Sequence, residues 1–270
     1  MQREDIRIRN NVNISGRPDG QVMLFAHGFG CDQAMWRYVA PSFEDRYRVV
    51  LFDYVGSGQS DWSAYDPQRY ATLEGYSRDI LDIIEAFDLR DVLFVGHSVS
   101  SMIGMLAAID APDRFDRIVM IGPSPCYANE TGYIGGFERK DLEGLLELME
   151  KNYIGWAEFL APVVMKNPEN PALSQELQKS FCATDPRHTR QFARATFLSD
   201  YRDQLANLKV PSLILQCSED AVAPDCVGDY LAERLVDSTL RRMKATGHCP
   251  HMSHPTETIQ LMEEYLAAAA

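Results

Sequence analysis

The chain has 270 residues, 46% of them hydrophobic, which is enough for one sizeable core. Its formal net charge is −13, and no Lys/Arg cluster offers the positive face that phosphate binding needs, so nucleic acid is excluded as a partner. No stretch nears the roughly 20 apolar residues that span a bilayer, MQREDIRIRN has no apolar signal core, and six scattered cysteines without a Cys-x-x-Cys pair fit a reducing cytoplasm, where free buried thiols are expected.

In chain order, short apolar runs at 22–26, 49–52, 92–95, 118–121, 213–216 and 239–243 read as strands. Most are continuous and bounded by Gly, Pro or charge, as strands covered on both faces must be. Between them, 72–87 carries a helix-period apolar face of Leu73, Tyr76, Ile80, Ile83, Ile84 and Phe87, and 98–109 and 225–235 read the same way. Such alternation predicts a mostly parallel central sheet with helices on both faces. It breaks at 127–201, where helical patterns at 141–152, 156–165, 171–182 and 186–198 follow one another without a convincing strand. Segments 1–126 and 202–270 are therefore expected to form the core, with 127–201 a helical insertion capping a site at the strand ends.

The sharpest motif is Gly96-His97-Ser98-Val99-Ser100, set between a strand and an apolar helix. A serine on such a turn matches the nucleophile elbow of α/β-hydrolases, whose tight backbone demands small residues two positions to either side. Ser100 stands where that pattern has Gly, and it is still small. Ala26-His27-Gly28-Phe29-Gly30 follows the first strong strand, so the N–H groups of Phe29 and Val99 are placed to hold a developing oxyanion. In this fold an acid follows a later strand and a histidine the last. Cys217-Ser218-Glu219-Asp220 offers Asp220 as the acid, with Glu219 the alternative; Gly247-His248 offers the base, because Gly247 lets the loop turn back over the sheet. A serine hydroxyl needs such a base, and the base needs a partner to fix its tautomer.

Other candidates have plainer readings. Gly28 and Gly56 each open a partial dinucleotide fingerprint, but Gln33 and Asp61 stand where the third glycine is required. His248, Cys249, His251 and His254 follow no zinc spacing, and Pro250 and Pro255 interrupt any shared face, so no metal or other cofactor is expected. His27 is expected to brace the oxyanion turn, His97 to pack or hydrogen-bond locally, Asp53 to cap or pin a loop, and Cys249 to be a buried thiol. For a small hydrophobic ligand above Ser98, the candidate walls are Phe29, Tyr127, Phe137, Trp156 and Phe197.

The segments HGFGCDQAMWRYVAP, FDYVGSGQSD, FVGHSVS, MIGPSPCY, KNYIGWA, VPSLILQCSEDAVAP and GHCPHMSHP resemble the RsbQ-type bacterial stress-response regulators and the related plant receptors for karrikins and strigolactones. The likeness runs along nearly the whole chain. It implies Ser98, Asp220 and His248 as a triad, the Phe29 and Val99 amides as oxyanion donors, and a four-helix V-shaped lid over a buried hydrophobic cavity. From the bacterial members it implies a PAS-domain-containing serine/threonine phosphatase as partner; from the plant members, hydrolysis of a butenolide coupled to signalling. Ser100 agrees with the karrikin-type receptors, whereas the bacterial members carry Gly there. Two readings follow: a serine hydrolase of small ester- or lactone-like ligands, and a signalling module that grips a ligand with little turnover. Carbon–carbon bond hydrolysis or cofactor-free oxidation on the same scaffold also stays open, since fold does not fix function.

Overall fold

The computed structural model describes residues 2–268; residues 1, 269 and 270, at the ends of the expected core segments, lie outside the described residues. The chain runs through α1 (Arg3–Arg9), β1 (Asn13–Gly16), β2 (Val22–Ala26), β3 (Arg48–Leu51), α2 (Leu73–Ala86), β4 (Val92–His97), α3 (Val99–Asp110) and β5 (Phe115–Ile121). Four helices follow: α4 (Arg139–Lys151), α5 (Tyr153–Met165), α6 (Pro171–Cys182) and α7 (Pro186–Phe197). Then come β6 (Ser212–Ser218), α8 (Asp225–Arg234), β7 (Ser238–Thr246), α9 (Pro250–Ser253) and α10 (Pro255–Ala267).

The strands form one seven-stranded sheet in the order β1-β3-β2-β4-β5-β6-β7, parallel except for β1, which pairs antiparallel with β3. Every residue of β2 and β4 is buried, as both-face coverage of central parallel strands requires. The chain moves outward from β2 to β3, then crosses back to lay β4 on the other side of β2. That reversal opens a crevice at the carboxyl ends of β2 and β4, the usual place for a ligand in an open α/β sheet. In register Ala26 faces Gly96, so the turns after β2 and β4 emerge side by side.

The six expected strands all form, within a few residues at their ends. β1 was not foreseen: Asn-Ile-Ser-Gly has no apolar run, because an exposed antiparallel edge needs none. Pro250 and Pro255 do not merely interrupt the C-terminal segment; they open α9 and α10 at positions where their missing N–H costs nothing. Helices α4–α7 all fall between β5 and β6, and no strand intervenes, only isolated bridges. The two ends of this insertion meet: Cys126 bridges Asp200, and Tyr201 N–H donates to Pro125 O at 2.8 Å.

The expectation of uniformly buried thiols is corrected. All six cysteines are free, but Cys182 and Cys226 are exposed, at the end of α6 and on the first turn of α8. Isolated cysteines carry no pattern that separates the two cases.

Gly96 is needed on steric grounds, since a Cβ there would lie 2.6 Å from Ser100 O. Gly144, inside α4, has open space around it. Gly96→Ala is expected to destabilise by about 1–3 kcal/mol through overpacking, and Gly144→Ala to stabilise by roughly 0.5–1 kcal/mol through helix propensity; chemical denaturation of the two variants measures both.

Candidate active site

Ser98 sits at the point where β4 turns into α3, with φ 55 and ψ −122. A non-glycine residue there stores about 1–3 kcal/mol of strain, which the surroundings must hold. They do so on three sides. Ser98 N–H donates to Ile121 O at 2.8 Å, Ser101 Oγ donates to Gly96 O at 3.1 Å, and Ser100 Oγ donates to His27 O. The Tyr54 hydroxyl completes the Ser100 contact at 2.9 Å. Ser100 thus ties the nucleophile helix to the turn after β2, a bond that glycine could not make.

The base and acid arrive from β7 and β6, whose ends are paired through Ser218 and Thr246. His248 Nε2 lies 2.7 Å from Ser98 Oγ, and His248 Nδ1 lies 2.7 Å from Asp220 Oδ2. Asp220 Oδ1 accepts from the N–H groups of Val222 and Ala223 at 2.8 and 3.1 Å, so the carboxylate is fixed from behind. With Nδ1–H donated to Asp220, Nε2 presents its lone pair to the serine hydroxyl. Gly247 has φ +79, a turn that suits glycine, and this swings His248 over the sheet. Glu219, the alternative acid, instead points to solvent and pairs with Lys166 at 3.0 Å.

The main chain around these groups is braced as well. Tyr54 N–H donates to His27 Nε2 at 3.2 Å, which leaves His27 Nδ1–H for Gly28 O at 2.9 Å. A trans peptide sets its N–H opposite its carbonyl. Pinning Gly28 O therefore aims the N–H of Phe29. Val99 opens α3, so its N–H has no helical acceptor. His97 reaches past the elbow to bond His248 O through Nε2 at 2.8 Å. Asp53 accepts from Gln33 N, Gln59 N and Asn11 Nδ2 and pins three loops.

An apolar cavity opens above Ser98. Of the residues named from the sequence, Phe29, Phe137 and Phe197 line it; Leu145, Leu160, Val164, Leu177, Phe181, Thr196 and Val222 complete most of the wall. Two expected wall residues do not. Trp156 stands one layer behind, packed edge-on to Phe29 with ring centroids at 6.0 Å. Tyr127 packs against Phe197 at 5.4 Å; its hydroxyl faces the Ser98 side chain without reaching hydrogen-bond geometry, and burial pushes the phenol well above its usual range. The aliphatic wall was not singled out from the sequence because Leu145, Leu160 and Val164 lie on the same helical stripes as the core. Cys31 and Cys249 also line the cavity, with burial pushing the Cys31 thiol up to about 12 and that of Cys249 well above its ordinary value, so neither competes as a nucleophile.

With this geometry the chain is an enzyme of the serine-hydrolase class. It belongs to the alpha/beta hydrolase family, which matches residues 23–261. It is 36% identical to karrikin insensitive 2 receptor CA of Petunia hybrida over 95% of each chain. It is 35% identical to strigolactone esterase D14 of Arabidopsis thaliana, over 98% of this chain and 99% of that one. The structure of a hydrolase from Oleispira antarctica, 47% identical, superposes with a TM-score of 0.96 over 99% of this chain and 98% of the other.

Beneath the site, the His251 ring packs at a tilt against His97 and Trp36, with centroids at 4.4 and 4.8 Å. Burial, then the neighbouring His248 imidazole, pushes His251 down to about 3; burial and the imidazoles of His251 and His248 push His97 well below its ordinary range. In the unfolded chain both titrate near 6.5. Between about pH 3 and 6.5 the unfolded state therefore binds more protons, and stability falls on acidification through that window. Urea melts at about pH 7 and pH 5 are expected to show this loss, with His251→Gln flattening the slope by up to about 1.4 kcal/mol per pH unit; an unchanged slope would count against the assignment.

Proposed function

We propose that this enzyme hydrolyses a small hydrophobic ester or lactone through a covalent acyl-enzyme on Ser98. The observation that carries this reading is the unbroken series Ser98 Oγ–His248 Nε2–His248 Nδ1–Asp220 Oδ2, both links 2.7 Å, opening on an apolar cavity. Ser98 Oγ attacks the substrate carbonyl carbon as its proton passes to His248 Nε2. Asp220 holds the imidazole in the accepting tautomer and faces the charge that forms. The carbonyl oxygen becomes an oxyanion between the N–H groups of Phe29 and Val99, each such donor typically worth about 10²–10³ in rate. As the tetrahedral adduct collapses, the carbon–oxygen bond to the leaving group breaks, and the imidazolium returns the proton to the departing alkoxide. In a lactone that alkoxide stays attached through the acyl chain. Water, deprotonated by His248, then attacks the acyl carbon, and Ser98 leaves with the proton.

In this reading residues 127–201 form a lid on the core of residues 1–126 and 202–270. Its support is the closed neck at Cys126–Asp200 and the contribution of α4–α7 side chains to the cavity wall. A cavity walled mostly by apolar side chains suits a small ligand with few polar groups.

A second reading is that occupancy of the cavity is signalled to a protein partner in the cytoplasm. The near full-length identity to a karrikin receptor and a strigolactone esterase supports it. In this reading, following the resemblance to RsbQ-type regulators, the partner is a PAS-domain-containing serine/threonine phosphatase and the output a stress response. Pull-downs with and without an apolar ester distinguish this from simple turnover: ligand-dependent capture of such a phosphatase supports it, and equal or absent capture counts against it.

Ser98→Ala is expected to lower p-nitrophenyl butyrate turnover by at least about 10³-fold with the thermal midpoint kept or raised, since the strained turn is unaltered. Intact-mass analysis should show a fluorophosphonate adduct on Ser98 in the unaltered protein and none in the variant. Turnover that survives the substitution rejects the proposed chemistry.

A further inference from the structure

The main chain of His248 is held from two directions. On the core side its carbonyl accepts from His97 Nε2. On the insertion side its N–H donates to Val164 O at 2.9 Å, in the last turn of α5. The last carbonyls of a helix have no intrahelical partners and must find others. At the end of α5, His248 N–H serves Val164, and the buried Asn167 side chain serves Met165, its Nδ2 donating to Met165 O at 2.5 Å. The same amide reaches Thr246 O at 3.2 Å, two residues before His248. Asn167 therefore staples the end of α5 to the loop that carries the base.

Three further observations show that this contact is built in. Lys166 adopts a left-handed conformation, φ 48, which turns Asn167 inward. A Cβ on Gly247 would fall 2.2 Å from Met165 O, so loop and helix end already touch. Lys166 Nζ pairs with Glu219, the neighbour of Asp220, so one short segment contacts the loops of both acid and base. That pair is exposed and screened, and the weight of the contact falls on Asn167.

We propose that Asn167 is a positioning residue for His248, and that through it the insertion sets the geometry of the base. This rests on the reading of His248 as the base. Leu160 and Val164 of α5 line the cavity, so whatever shifts that helix shifts the carbonyl that anchors the His248 amide. The negative end of the α5 dipole also faces the imidazole loop, which favours the imidazolium formed in the transition state. A base misplaced by about 1 Å can lose about 10²-fold in rate. Asn167 touches neither the cavity nor the serine, so its loss should act on turnover and spare ligand binding.

The test compares Asn167→Ala and the isosteric Asn167→Asp with the unaltered enzyme on p-nitrophenyl butyrate. Rates are normalised to sites titrated to the endpoint with a fluorophosphonate, and the downfield His248 Nδ1 proton shared with Asp220 is followed by NMR. The expected result is a fall in kcat of about 10–100-fold at a KM within about twofold, with that resonance shifted or broadened in both variants. Asn167→Gln, which keeps an amide donor, should recover part of the loss. Unchanged kcat per titrated site, or a fall with the resonance unmoved, overturns the proposal. If Ser98→Ala is inactive while the Asn167 variants keep full kcat, the positioning role alone fails; if Ser98→Ala is active, the hydrolytic reading itself fails. Should Asn167→Ala not accumulate as folded protein, Asn167→Asp carries the same comparison.

Discussion

The parallel pairing of β2 with β4 is the constraint on which the site depends. Ala26 set against Gly96 places two turns next to each other at the crevice between them. The β4 turn carries a serine at positive φ, and in the β2 turn a carbonyl is held by His27. Ser100 and Tyr54 then lock the two turns to each other. A one-residue slip of this pair would reverse which side chains face the crevice, and no loop adjustment downstream could recover the geometry.

The order of chemistry along the chain follows from the same topology. β6 and β7 extend the sheet on the β5 side, so their loops reach Ser98 only by leaning back across β5. Gly122 lies under that path, and a Cβ there would crowd the His248 ring at 3.1 Å. Asp220 spans the remaining distance with one oxygen on the imidazole and the other on two backbone amides. The carboxylate therefore both orients the ring and anchors its own loop, whereas Glu219, one residue earlier, is turned to solvent and paired with Lys166.

Much of this was legible in the residues. Continuous apolar runs marked the central strands because burial on both faces leaves no room for alternation, and Gly247 marked a turn because its positive φ suits glycine. The elbow was read from the small residues around a serine between strand and helix, and the base and acid from chain order, with Glu219 left open beside Asp220. What escaped was whatever periodicity does not encode. β1 is polar because it is an exposed edge. Cys182 and Cys226 sit on exposed helix faces, whereas Cys217 lies in β6 and Cys31, Cys126 and Cys249 in buried loops. Trp156 and Tyr127 are as aromatic as Phe29 and Phe197, yet the face of α5 on which Trp156 falls puts it behind the cavity wall, and the irregular segment after β5 puts Tyr127 beside the serine. The hold of α5 on the base depends on a side-chain amide reaching across 79 residues, and sequence spacing carries no trace of such a reach.

The position of Trp156 has a practical meaning. Its indole rests against Phe29 and Phe181, both of which form the cavity wall, while Trp36 is sealed in the core and Trp62 lies at the surface beside His188. Of the three tryptophans, one is thus coupled to the cavity through a single layer of rings. The molecule carries its own optical reporter: emission from that indole will follow the filling and emptying of the chamber without any attached dye.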